Sequence, residues 1–456
     1  MIDLLTTNTC MSTSEVCSSR AALLLNLLIA LLIPFIGTAA AQNIPAPKPK
    51  LSFTVILTRH GVRSPIKSVE ELSTFSGEPW PVWGVPSGDL TPQGRKLMEL
   101  LGAYYRGYFS NDGLLSLTGC EDADRIHIRA DVDARTRETG RALASGMMPG
   151  CTVEVHVASG KDDPLFSPLL AGIGEPDRAL AVASIAGRIG GNPTALTANY
   201  RYAFETLREV LFGCAPFSPC PAEKQSGKLV LLDQPSTVVA VNGGHAADIQ
   251  GPLKIGSNLS EALLLEYANG MEGKDLGWGR LTRVKLLEIM RIHEAYADLA
   301  RQTPYVARIQ ASNLLNHILR SVAQAVSGTT LSGSIGKSGD RVLVIAGHDT
   351  NLSNIAGALG ISWLLSGYRP AETPPGGALV FELWQQGAGE FEVKTYFTAQ
   401  SLEQMRNLLP LSLDNPPLKS PIFLPGCSRG DVNMTCTWEE FQRTINNAID
   451  PAFVTP

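Results

Sequence analysis

Residues 52–65 read SFTVILTRHGVRSP, an apolar run followed by Arg59, His60 and Arg63. A short apolar run rich in β-branched residues and closed by turn formers reads as a buried strand. The two guanidiniums beside an imidazole repel one another, and no adjacent acid neutralises them. Residues 342–351, VLVIAGHDTN, repeat the pattern, an apolar run that ends in Gly347, His348 and Asp349. In an α/β sheet ligands bind beyond the carboxyl ends of the strands, so both junctions are expected to open onto one crevice.

Working outward, residues 89–109 (DLTPQGRKLMELLGAYYRGYF) have helical periodicity, with Thr91 as N-cap and Pro92 at the first helical position. Residues 124–133 alternate like a strand, 134–147 read as a helix, and 152–159 (TVEVHVAS) read as a further strand. This order predicts an α/β fold: a mixed-sheet core sandwiched by helices. Residues 377–386 and 391–399 read as a late hairpin. The middle of the chain is helical in period with Pro- and Gly-rich joints. The expected organisation is an α/β catalytic domain at 51–175 and 305–456, with a mainly helical lobe inserted at 176–304.

Hydrophobic residues make up 44% and charged residues 18% of the 456-residue chain, a globular composition. Residues 1–41 read as a signal peptide, with an apolar run behind Arg20 and small residues for cleavage near Ala41; a retained anchor is the rival reading. A Pro-rich linker follows at 42–50. Losing Asp3, Glu15 and Arg20 with the leader shifts the formal charge from −5 to about −4, which argues against nucleic acid as partner. The expected location is the periplasm, with secretion as the alternative, no membrane attachment after cleavage, and a monomeric state. Six cysteines remain, and their spacing suggests three local disulfides: Cys120–Cys151, Cys214–Cys220 and Cys427–Cys436. None has the spacing of a zinc or redox pair.

The residue types at the two junctions suit a phosphate guest. Guanidinium forks match phosphate oxygens bidentately, and packed cations that repel in an empty site are compensated by a dianion. His60 among them is expected to be neutral at acidic pH, hence a competent nucleophile, and Asp349 is expected to protonate the departing alkoxide. The plainer alternatives are an exposed loop for Arg59-His60 and a helix N-cap for His348-Asp349. A P-loop reading of SGSIGKSG fails because Leu331 occupies the first glycine position. No G-x-S-x-G elbow supplies a serine nucleophile.

At this point the chain resembles the histidine acid phosphatases, branch two of the histidine phosphatase superfamily. The signature R-H-G-x-R-x-P stands as Arg59, His60, Gly61, Arg63 and Pro65, and the distal pair as His348-Asp349. Stretches such as DLTPQG, GWGRLT, QTPYVAR and TPPGGALVFE extend the likeness to the bacterial periplasmic phytase and phosphoanhydride phosphatase group. The resemblance implies His60 as the phosphohistidine-forming nucleophile and Asp349 as proton donor. Arg59, Arg63, Arg135 and His348 would bind the phosphoryl group, with Arg137 as the competing third arginine. It further suggests Lys67 and Glu261 as outer substrate contacts, without cofactor or metal. His127, His156, His293 and His317 read as structural, and His245 has no assignment. A phosphoglycerate-mutase-like phosphotransferase and a non-catalytic binder of phosphorylated small molecules are the rival functions. The leader and the His348-Asp349 pair favour hydrolysis over the first, and the presence of both His60 and Asp349 disfavours the second.

Overall fold

The computed structural model describes residues 48–225, 228–387 and 389–455. The leader at 1–41 and most of the linker at 42–50 lie outside the described residues. Among those described, no helix is long and apolar enough to cross a membrane.

Ten strands are present among the described residues: β1 (Lys50–Arg59), β2 (Ile126–Ala130), β3 (Val155–His156), β4 (Thr237–Ala240), β5 (Ala247–Gln250), β6 (Val342–Gly347), β7 (Ala378–Gly387), β8 (Glu390–Ala399), β9 (Leu418–Pro421) and β10 (Cys436–Thr437). Eight of them form one sheet in the order β10-β8-β7-β1-β6-β2-β3, with β9 paired to β8. β1, β6, β2 and β3 run parallel, while β7, β8, β9 and β10 pair antiparallel, so the sheet is mixed as expected.

The sheet is covered on both faces, which explains why its central strands read as continuous apolar runs. Val55 and Leu57 of β1 face one core together with Leu343 and Ile345 of β6 and with residues of helices Pro252–Ala268 and Arg283–Arg301. Ile56, Val342 and Val344 face the other, against Tyr105, Phe109 and Met147 from helices Pro92–Asn111 and Ala134–Met147. Thr91 caps the first of these helices by accepting from Gly94 N, with Pro92 at its start, as the sequence indicated.

Two local expectations differ from the structure. Only Val155 and His156 of the 152–159 stretch pair as strand, because β3 lies at the sheet edge and has β2 alone as partner. Within 176–304 the helices are accompanied by a hairpin, β4 with β5, that the periodicity did not reveal. The helices of this segment share their apolar core with β1 and β6. The structure joins Cys120 to Cys151, Cys214 to Cys220 and Cys427 to Cys436.

Candidate active site

The parallel register pairs Arg59, the last residue of β1, with Gly347, the last of β6. His60 N donates to Gly347 O (2.9 Å), so the two chemical junctions leave the sheet side by side. Gly61 fits where the chain presses on the helix Pro92–Asn111: an added Cβ would lie 2.8 Å from Met98 Cγ and 3.1 Å from Gly94 O. Its N–H donates to Thr139 Oγ1 (3.0 Å).

His60 is only 2% exposed. Its Nδ1 lies 2.9 Å from Gly61 O and so carries the proton. Nε2 is left with its lone pair, against which Arg63 Nε sits at 3.4 Å. Burial first, then the charges of Arg63, Arg59, Arg135 and His348, hold its pKa well below the usual imidazole value. The neutral imidazole expected from sequence therefore has a structural cause.

The arginines are fixed from behind. Arg59 is 1% exposed, donates to Thr373 O (2.6 Å) and pairs with Glu261. Arg63 reaches the other Glu261 oxygen at 3.0 Å. Arg135 pairs with Asp133 (2.6 Å) and donates to His348 Nδ1 (3.4 Å). Buried Nε atoms of Arg59 and Arg135 have no partner among the described residues. Arg137 forms no hydrogen bond or ion pair with this group.

His348 donates from Nε2 to Asp131 (2.6 Å), and its ring centroid is 5.7 Å from that of His60. It is the N-cap of the helix Asp349–Leu359, its backbone N–H donating to Asn351 Oδ1 at 3.0 Å. Asp349 is the first helical residue, not the cap. Burial alone would raise its pKa, but Arg59, His293, Arg63 and His348 together pull it below the usual carboxylate range. Glu261 shows the same balance: burial raises it, and Arg63 and Arg59 lower it further.

Glu261, expected as an outer substrate contact, thus stands inside the arginine cluster as its counter-ion. Lys67 lies outside it, exposed and paired with Glu71 (2.9 Å). It borders a cavity of about 280 Å³ with Phe75 and with Ile255, Asn258 and Leu259, the last three on the helix that also carries Glu261. Asp131 and Asp133 escaped the sequence reading because ADVD reads there as the tail of the alternating strand; β2 ends at Ala130, and their place just after it, at a third strand end, was the available signal. With His348 they bring three potential metal-ligand atoms within 4.8 Å, although Arg135 already supplies positive charge to Asp133.

The arrangement presents one imidazole lone pair to a concentrated positive field, with a carboxyl on the neighbouring strand end. Comparison with known proteins agrees with that chemistry. Residues 50–189 and 245–398 match the family model described as histidine phosphatase superfamily (branch 2). The chain is 36% identical over 440 residues to phytase AppA of Escherichia coli (strain K12), covering 93% of this chain and 99% of that one. It is 28% identical over 428 residues to a glucose-1-phosphatase of Providencia rettgeri, covering 92% and 97%. Its fold is similar to the phytase structure from Citrobacter braakii, with a TM-score of 0.81 at 35% identity, covering 89% of this chain and all of that one.

Proposed function

The chain belongs to the histidine phosphatase superfamily (branch 2) and hydrolyses phosphomonoesters, and on that premise we propose that His60 is its nucleophile and inositol polyphosphates its preferred substrates. The carrying observation is the protonated Nδ1 of His60 held by Gly61 O, which leaves Nε2 free among Arg59, Arg63 and Arg135.

In this reading Nε2 attacks phosphorus and the P–O bond to the alcohol breaks. The arginine N–H groups stabilise charge on the transferring oxygens. Asp349 gives a proton to the leaving alkoxide and then takes one from the water that cleaves the phosphohistidine. A dianion bound among the arginines offsets the cations that hold Asp349 ionised, so the carboxyl gains its proton when substrate arrives. Glu261 must yield its two arginine contacts, at least in part, to the incoming phosphoryl group.

The preference for inositol polyphosphates is supported by the two phytase relatives; the glucose-1-phosphatase relative favours the narrower alternative, a sugar phosphatase. Export to the periplasm and a monomeric state belong to the same proposal. A panel of phytate, glucose 1-phosphate, nucleotides and p-nitrophenyl phosphate, assayed at acidic pH with chelator present, tests it. Turnover of phytate with the highest kcat/KM supports the reading, and a higher kcat/KM on glucose 1-phosphate would replace it with the narrower one. Folded His60→Ala should lose turnover of every substrate, and near-wild-type activity in it would remove His60 from its role.

A further inference from the structure

The main chain of the loop that carries His60 is tied down group by group. His60 N donates to Gly347 O (2.9 Å), and His60 O accepts from Gly376 N (3.0 Å). Gly61 N donates to Thr139 Oγ1 (3.0 Å). Among the described residues, Thr139 is the one side chain from outside the loop that holds the backbone of His60 and Gly61; the other two partners are backbone groups. Thr139 is 0% exposed on the helix Ala134–Met147. Arg135 stands four residues before it, on the same face of that helix. Close packing fixes the helix in turn. A Cβ at Gly140 would lie 3.1 Å from side-chain atoms of Ile128 and Val155, and one at Gly146 would lie 1.9 Å from Glu99 O of the helix Pro92–Asn111. One rigid helix therefore sets the place of both the Arg135 guanidinium and the oxygen that holds the His60 loop.

We propose that Thr139 is a positioning residue for phosphoryl transfer: by holding the His60–Gly61 peptide plane it keeps the Gly61 carbonyl on His60 Nδ1, and so keeps Nε2 as the attacking nitrogen. The inference rests on the reading of His60 as nucleophile. The plane has a hydrogen bond at each end, from Gly376 N to its oxygen and from its nitrogen to Thr139. Gly61 has no side chain to restrict its dihedrals, so with one end released its carbonyl can turn away from the imidazole. That carbonyl, 2.9 Å from Nδ1, is what places the ring proton. A ring without it can swing out of line or carry its proton on Nε2, and either change blocks attack on phosphorus. Arg63 Nε, 3.4 Å from Nε2, opposes only the second change. The phosphoryl-binding guanidiniums keep their own partners, so the loss falls on the chemical step and spares anion binding.

Thr139→Val keeps the shape of the side chain and removes its acceptor, which leaves the Gly61 N–H buried and unpaired. Thr139→Ser keeps the oxygen. Both are assayed with p-nitrophenyl phosphate beside the wild type and His60→Ala, each checked for fold by circular dichroism. In Thr139→Val kcat should fall about tenfold, and in Thr139→Ser it should stay within about twofold of the wild type. The inhibition constant for inorganic phosphate should change by less than about twofold in both. A purely structural role would lower the urea midpoint and leave kcat unchanged. The proposal is overturned by an unchanged kcat in folded Thr139→Val, by an equal loss in Thr139→Ser, or by phosphate binding that weakens as much as kcat falls. With His60→Ala inactive, any of these results leaves the nucleophile reading standing; an active, folded His60→Ala removes both. If Thr139→Val does not fold, Thr139→Ala is read by the same two constants.

Discussion

A histidine can attack phosphorus only through a nitrogen that is both unprotonated and aimed, and at His60 the Gly61 carbonyl settles the first condition by engaging Nδ1. The neighbouring histidine is set the opposite way: His348 gives its Nε2 proton to Asp131 and turns Nδ1 toward Arg135. Asp131→Asn should release that orientation. A charge-assisted hydrogen bond contributes roughly 1.5–3 kcal/mol, so kcat is expected to fall about 10- to 100-fold. Stopped-time assays with p-nitrophenyl phosphate check it, and an unchanged kcat would make Asp131 structural. Asp349→Asn should discriminate between leaving groups: phytate hydrolysis falls about 100-fold or more, whereas nitrophenolate, which needs little protonation, loses far less. The cations around Asp349 also fix a sign. Its pKa is depressed in the free protein and rises when a dianion offsets those cations, so binding must take up a proton. Sulfate titrations near pH 4 in buffers of different ionisation enthalpy should show about one proton taken up by the wild type and none by Asp349→Asn. Equal uptake by both proteins would place the proton elsewhere.

At the scale of elements, the site is the product of a register and a close approach. Pairing Arg59 with Gly347 brings two loops together, and Gly61 lets one of them lie against the helix Pro92–Asn111. Gly61→Ala should therefore act through packing. One of the contacts it would force, at 3.1 Å, is with the backbone oxygen of Gly94, which cannot swing aside. A loss of about 1–3 kcal/mol is expected, seen as a lower urea midpoint alongside reduced activity. These junctions were legible in sequence because a doubly covered strand must read as an apolar run, and polar residues at its end stand out. The hairpin β4–β5 was not legible: Thr237–Ala240 is short and lies among Pro and Gly residues that read as a joint. Glu261 was singled out, yet its bond to both arginines depends on how helix Pro252–Ala268 docks, which periodicity does not specify.

At the scale of the whole molecule, a buried carboxyl whose pKa is raised favours the folded state at acidic pH, a contribution separable from catalysis. Glu266, 0% exposed on the helix Pro252–Ala268, offers the cleanest handle because it lies apart from the arginine cluster. One of its oxygens accepts from Gly277 N (2.9 Å), and the other is buried without a partner among the described residues. Burial pushes its pKa up to about 8, which the Gly277 bond only partly opposes. In the unfolded chain the same group titrates near 4.5. Between these two values the folded protein holds a proton that the unfolded chain has released, so folding loses stability as pH rises through this window. The depressed histidines act with the other sign: His127, lowered to about 4 by burial and His156, withholds stability as pH falls below the ordinary imidazole value. The two trends oppose each other, so the whole-protein curve alone cannot assign either one. Glu266→Gln removes one titration while keeping an acceptor for Gly277. Its urea midpoint should match the wild type's trend below about pH 5 and then fall less steeply toward pH 8, where the wild-type carboxyl must either ionise in the interior or keep its proton against solvent. Parallel curves for the two proteins across that range would mean that Glu266 reaches water in solution, and would remove it as a source of the acidic preference.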